Sequence, residues 1–276
     1  MSYNFLKQRQ LNVSTKKRLN GNDNTANVRF ELNYQMKEFD RLGCIRIEID
    51  KKWYTIDSSI PTFVIEETTT GPTVTPYTVN LFTQGCSSIA KGVVTGTDFA
   101  TIVKTALDAA TSNTYTVTLD PSNYKLIVTG PASTTLRFLT NNDLIARYLG
   151  LSSNGYSEKR ANDGTYKYES ASIAAATATR LNGSIDLQRY KEIYVRSSMA
   201  RGNWDSLMMT VYPSNTAFGG TLTAETYDVI ANSVSMDTGN LNPEFMLMGD
   251  DGKLVAMNGG DWHMELLCFK DHGNTY

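Results

Sequence analysis

The chain has 276 residues, enough for one large domain or two small ones and for a sizeable core. Its 41% hydrophobic and 20% charged residues are those of a globular protein, and a net charge of −2 excludes a global pull toward nucleic acid or a membrane surface. Fifteen Tyr, with abundant Thr, Asn and Ser, suit strands and polar turns better than long helices.

The chain opens on "MSYNFLKQRQLNVSTKKRLNGND", where Lys7, Arg9, Lys16, Lys17 and Arg18 precede the first acidic residue, Asp23. Residues 1–22 therefore read as a flexible basic arm ahead of the folded body. Such an arm makes weak, salt-sensitive contact with nucleic acid or an acidic neighbour, or is only a solvated terminus. It lacks the apolar stretch of a signal peptide, and no run nears the ~18 apolar residues of a membrane span.

Short strands follow. "NVRFELNY" alternates Val28, Phe30, Leu32 and Tyr34 with polar residues. "CIRIEIDKKWYTI" sets Ile45, Ile47 and Ile49 on one face and Arg46 and Glu48 on the other. "TFVIEE" and "YTVNLF" read as strands split by the loop "TTTGPTVTP". Residues 23–68 thus look like the first strands of a β framework.

A compact α+β lobe spans 69–151. "TGTDFATIVKTALDAA" places Phe99, Ile102, Val103, Ala106 and Leu107 at helical spacing, with Thr97 or Asp98 as cap. "TYTVTLD" and "YKLIVTG", joined by "PSN", read as a hairpin. "NNDLIARYLGL" reads as a short helix presenting Leu144, Ile145, Tyr148 and Leu149. The expected lobe is β-α-β-β-α, inserted in or appended to the framework. Residues 152–178 read as a polar linker or exposed loop.

From 179 to 276 the strand pattern returns in "EIYVRSSM", "SLMMTVYP", "TYDVIANSVSMD", "PEFMLMG", "KLVAM" and "WHMELLCF". Short strands with Gly- and Asn-rich connections mark a sandwich or jelly roll, so the fold class is mainly β and antiparallel, with the small lobe added.

Little in the chain points to chemistry. Cys44, Cys86 and Cys268 are few, odd in number and outside any CxxC pair, which fits three buried thiols in a reducing compartment. His263 and His272 are the two histidines, and there is no HExxH, GxSxG or GxxxxGK[ST] signature. Asp250 and Asp251 beside Gly252 make a turn rather than a calcium loop. No residue is assigned a catalytic, cofactor-binding or metal-ligating role. In the last strand, alternation puts Trp262, Met264, Leu266 and Cys268 on one face and His263, Glu265, Leu267 and Phe269 on the other. Trp262 is read as a structural anchor and His263 as non-catalytic.

Four stretches together carry a resemblance. "LGCIRIEIDKKWYTID" runs a strand into an aromatic pair and a turn. "VVTGTDFATIVKTALDAATSNTYTVTLDPSNYKLIVTG", closing on "ARYLGL", joins turn, helix, hairpin and a Leu-Gly ending. "LNGSIDLQRYKEIYVRSSM" re-enters the framework, and "DDGKLVAMNGGDWHMELLCF" ends on a hairpin with a "DW" pair. As a pattern from Val28 to Phe269, this resembles the penton and minor capsid proteins of double-stranded DNA viruses of the virophage, polinton-like and large DNA-virus lineage.

The resemblance implies a jelly-roll structural protein of the virion, a capsid vertex (penton) or minor capsid component. It would assemble with itself, a pentamer being one expected form, and with the major capsid protein and other capsid proteins. It implies no cofactor. The alternative is a virion spike, fibre or adaptor whose lobe binds a receptor; a carbohydrate-active enzyme on a β scaffold is a third and weaker reading.

Overall fold

The computed structural model describes residues 8–17, 26–30, 38–69, 73–153, 166–199, 207–213, 216–237 and 242–270. Along the chain run β1 (Gln8–Ser14), β2 (Asn27–Arg29) and β3 (Arg41–Asp50). Next come β4 (Phe63–Thr69), β5 (Val74–Val79), a π-helical turn (Leu81–Gly85), α1 (Gly96–Thr111), β6 (Thr116–Asp120), β7 (Lys125–Thr129), β8 (Thr134–Thr140) and α2 (Asp143–Leu149). Three two-residue strands follow, β9 (Ser152–Ser153), β10 (Tyr168–Glu169) and β11 (Thr179–Arg180). The chain ends with β12 (Ile193–Ser197), β13 (Leu207–Val211), β14 (Thr221–Glu225), β15 (Val234–Ser235), β16 (Glu244–Gly249) and β17 (Trp262–Phe269). These elements fall into two compact units, Met1–Trp53 with Tyr190–Tyr276, and Tyr54–Arg189.

The first unit is a jelly roll by connectivity. One antiparallel sheet has the order β1-β17-β3-β14, with β15 also on β3; the other has the order β13-β12-β16-β2. Among the eight main strands, every chain-consecutive pair changes sheet except β12 and β13. That is the wrapping of an eight-stranded double-sheet jelly roll. Its core lies between the sheets. Trp262 of one sheet meets Phe245 of the other and Phe30 beside it, ring edges to faces, at 6.4 and 6.2 Å. Trp53 and Tyr190, which bracket the second unit in sequence, pack edge-on at 5.6 Å, so the chain leaves and re-enters the sandwich at one place.

Strand β3 carries a bulge. Arg46 faces Glu265 and Cys44 faces Leu266, leaving Ile45 as the extra residue. The alternation expected for Ile45, Ile47 and Ile49 is corrected accordingly: Ile47 and Ile49 are buried, Cys44 takes the next inward place, and Ile45 is half-buried. Strand β14, "TLTAE", falls where no strand is expected, just before "TYDVIANSVSMD", which is expected as one. Most of that stretch is a turn, closed by Asp228 accepting from the Ala231 N–H and by Asn232 N–H donating to the Asp228 carbonyl, and only Val234–Ser235 at its end forms a strand, β15.

The basic arm is also corrected over its described part. Gln8–Ser14 is an edge strand in seven-residue register with β17, with Leu11 and Val13 buried. Thr15 bonds the Asp261 carboxylate and the Trp262 amide. The open edge of β17 recruits a segment whose own apolar content is low.

The second unit holds the sheets β5-β4-β8-β10-β9 and β11-β7-β6. Helix α1 presents Phe99, Ile102, Val103, Ala106 and Leu107 to the core, as its spacing predicts. Its cap is Thr95 rather than Thr97 or Asp98; Asp98 closes the capping box from the third helical position. Helix α2 is capped at its start by Asn142 and at its end by Gly150, whose φ of 66° suits glycine and whose missing Cβ leaves room for the Gly183 carbonyl.

Three readings of the lobe are corrected. Strand β8, "TTLRFLT", is central, paired with β4 and β10, and makes the order of main elements β-α-β-β-β-α. Strand β4 belongs to this unit, not to the framework. Strand β5 begins at Val74, inside the presumed loop, and ends at Val79, where Asn80 caps the π-helical turn. The linker expected over 152–178 holds β9 and β10 and the buried Ile173, and residues 154–165 lie outside the described set.

Candidate functional site

The residues singled out by sequence do not converge on a reactive centre. Among the described residues no group of three His, Cys, Asp or Glu side chains is placed to hold a metal ion. No described helix is long and apolar enough to cross a membrane. Cys44, Cys86 and Cys268 are buried free thiols; burial pushes Cys44 and Cys268 up to about 12 and raises Cys86, so none is poised as a thiolate.

Trp262 is 2% exposed on the inward face, together with Met264, Leu266 and Cys268. His263 lies on the outward face opposite Glu48 and Ser14, with its Nε2 3.9 Å from Glu265. Phe269, assigned to that outward face by alternation, is buried. Of the arm residues, Arg9 is exposed on β1 opposite Cys268 and Lys16 lies in the 3-10 turn after it. The Lys17 backbone is in the same turn, whereas Lys7, Arg18 and His272 lie outside the described residues.

What the jelly roll does present is two unlike outer faces. On the β1-β17-β3-β14 sheet the outward positions of β17, β3 and β14 are mostly polar, with a cluster of charges at their middle. Glu48 and Glu225 pair with Arg46, Glu265 sits opposite Arg46 across the strands, and His263 opposite Glu48. This is the polar-out pattern of a sheet with one wet side.

The β13-β12-β16-β2 sheet breaks that pattern. Its outward rows run Thr210, Tyr194, Met248 and then Leu207, Arg196, Met246, Asn27. Leu254 bridges to Met248, and Tyr212 follows β13 at 65% exposure. The carboxylates lie at the ends of the face: Glu192 accepts from the Tyr194 hydroxyl, and Glu244 pairs with Arg29 at 3.3 Å. Apolar and aromatic groups with one arginine among them, and carboxylates at the margin, is the anatomy of a protein–protein contact, and Met, Tyr and Arg are the residue types such contacts favour. "EFMLMG" reads in sequence as one apolar run, so the outward placing of Met246 and Met248 was not legible there.

Among the described residues of the second unit, the exposed large apolar residues are Ile89 and Val93, in the stretch before α1, and Tyr124 at the β6–β7 turn. Tyr124 has a φ of 55°, a strained conformation for a bulky residue.

No protein-family model matches the chain. No curated protein matches it significantly in sequence. Among solved structures it is similar to the mavirus penton protein, with a TM-score of 0.53 and 9% sequence identity, over 96% of this chain and 100% of that one. At that identity the likeness is one of fold, and its coverage reaches into both units. The resemblance read from the four sequence stretches is matched by a solved penton protein of the same fold: a mainly β, antiparallel jelly roll, here carrying an inserted α+β unit.

Proposed function

We propose that the chain is a structural protein of a virion capsid, a vertex (penton) or minor capsid component that assembles through subunit contacts. The observation that carries this reading is the likeness in fold to a penton protein over nearly the whole chain. The outer face of one sheet supports it: half-buried Tyr194, Met246 and Met248 with exposed Tyr212 and Leu254 gather apolar groups on one surface, as contact surfaces do. Partners on this reading are further copies of the chain and the major capsid protein, and the place of action is the virion. The buried thiols fit assembly in a reducing compartment. The basic residues Arg9 and Lys16 lie on the edge strand β1 and the turn after it, where they would meet a neighbouring subunit or packaged nucleic acid.

A second reading, a spike, fibre or adaptor protein, draws on the inserted unit, whose exposed Ile89, Val93 and Tyr124 are candidates for a receptor contact. One experiment separates the two: a cryo-electron-microscopy map of purified particles with the protein located by antibody fragment. Density embedded in the shell supports the capsid reading. Density projecting from the shell, attached by a stalk, would overturn it in favour of the second.

A further inference from the structure

The turn that follows β14 displays Tyr227 at 101% exposure, the highest of the large apolar residues described. Hydrogen bonds hold the turn. Asp228 accepts from the Ala231 N–H, Asn232 donates to the Asp228 carbonyl, and Arg41 binds the Ser233 hydroxyl and carbonyl. Val229 packs over Gly43, where an added Cβ would come within 2.5 Å of it. The turn is therefore preorganised, yet it holds a tyrosine wholly in solvent. That combination saves the ordering cost of binding while leaving the largest contact residue unburied.

A second surface of the same unit has the complementary character. The outer face of the β13-β12-β16-β2 sheet offers Met246, Met248 and Tyr194 at its centre, with Arg196 opposite Met246. Tyr227 is followed by Asp228, whereas Glu225, two residues before it, is already paired with Arg46. An aromatic knob with an acidic neighbour thus matches an adaptable thioether surface that carries a guanidinium.

We infer that the Tyr227 turn of one copy docks on the Met246–Met248 face of a second copy. This deepens the capsid reading and rests on it. The knob on one copy and the face on the next are different surfaces, so the same contact can repeat head-to-tail and close into a ring, whereas the reciprocal two-fold arrangement would stop at a dimer. Size agrees with the need for help from flanking turns. Four strands of about five residues give a face of about 300 Å², less than half of the roughly 800 Å² per partner in a standard interface. Tyr212 and Leu254, exposed at the edge of that face, extend it.

The test uses the full chain and reads mass by light scattering and mass photometry, with a thermal melt to show that each variant is folded. Wild type is expected to form a ring that weakens as salt rises. Tyr227→Ala and Met248→Glu are each expected to be folded monomers. Mixed in equal amounts they should form a one-to-one pair and nothing larger, because each retains the surface the other has lost. Two variants that assemble like wild type would overturn the contact while leaving the capsid reading standing. So would two monomeric variants whose mixture stays monomeric. A wild type that is monomeric at every concentration would overturn the self-contact, and the position of the protein in the virion would then decide the capsid reading on its own.

Discussion

The two units are built on opposite principles. The jelly-roll unit joins distant parts of the chain, Met1–Trp53 with Tyr190–Tyr276, and its β1–β17 ladder pairs residues at the two ends. The inserted unit is one continuous run, Tyr54–Arg189, whose helices and hairpins find most partners nearby. The first must close long loops before its core rewards it; the second need not. The difference teaches that each unit has its own hydrophobic core and that damage to one can be followed separately in the other. The chain supplies its own reporters: Trp53, Trp204 and Trp262 all belong by sequence to the first unit, and α1 and α2 both lie in the second. Tryptophan fluorescence therefore follows the jelly roll, and helical dichroism follows the insert.

The largest expected effect is at the centre of the jelly roll. Trp262→Ala removes a ring that is 2% exposed and touches both Phe30 and Phe245, and should cost about 3–5 kcal/mol. Fluorescence should show a collapsed or lost transition while the helical signal at 222 nm melts as before. A matched loss of both signals would mean that the units fold as one. His263→Ala, on the wet face, should leave both transitions in place.

Gly150→Ala is the counterpart in the insert. It places a side chain at a φ of 66° and within 2.2 Å of the Gly183 carbonyl, and should cost about 2 kcal/mol or more. Helical dichroism should report the loss and tryptophan fluorescence should not.

A smaller effect has the opposite sign. The Tyr115 hydroxyl is buried in the insert core without a hydrogen-bond partner among the described residues. Tyr115→Phe should leave the insert as stable as before or raise its stability by up to about 1 kcal/mol. A clear loss in a calorimetric scan would show that the hydroxyl is satisfied after all.

The last effect appears only in acid. Hydrogen bonds from Arg180 and from Ser122 hold the Asp120 carboxyl at about 2, below its ordinary 3.8. A carboxyl depressed by folding adds stability above its unfolded value and loses it as pH falls through the folded one. The insert should therefore weaken between about pH 4 and pH 2, and Asp120→Asn should flatten that limb of the stability curve. An unchanged limb would mean that the ion pair, with Arg180 largely exposed, contributes nothing measurable.

Period-two alternation in "WHMELLCF" determined which residues of the last strand turn inward up to Cys268, and 3.6-residue spacing determined α1 and its buried stripe. These are local signals, because a side chain's direction follows from its neighbours' backbone geometry. The capping box at Thr95 and Asp98 was equally local and was misread by two positions. Tertiary structure alone decided the rest. "TTLRFLT" is central because two strands flank it, and nothing in its seven residues says so. "QRQLNVS" is a strand because β17 presents an open edge, not because its composition favours one. "EFMLMG" is apolar at four of its six positions, so only the sheet could show that Met246 and Met248 point outward. Local geometry is written in successive residues; strand order and the choice of which face stays wet depend on pairings between residues more than two hundred positions apart, which no short window of sequence contains.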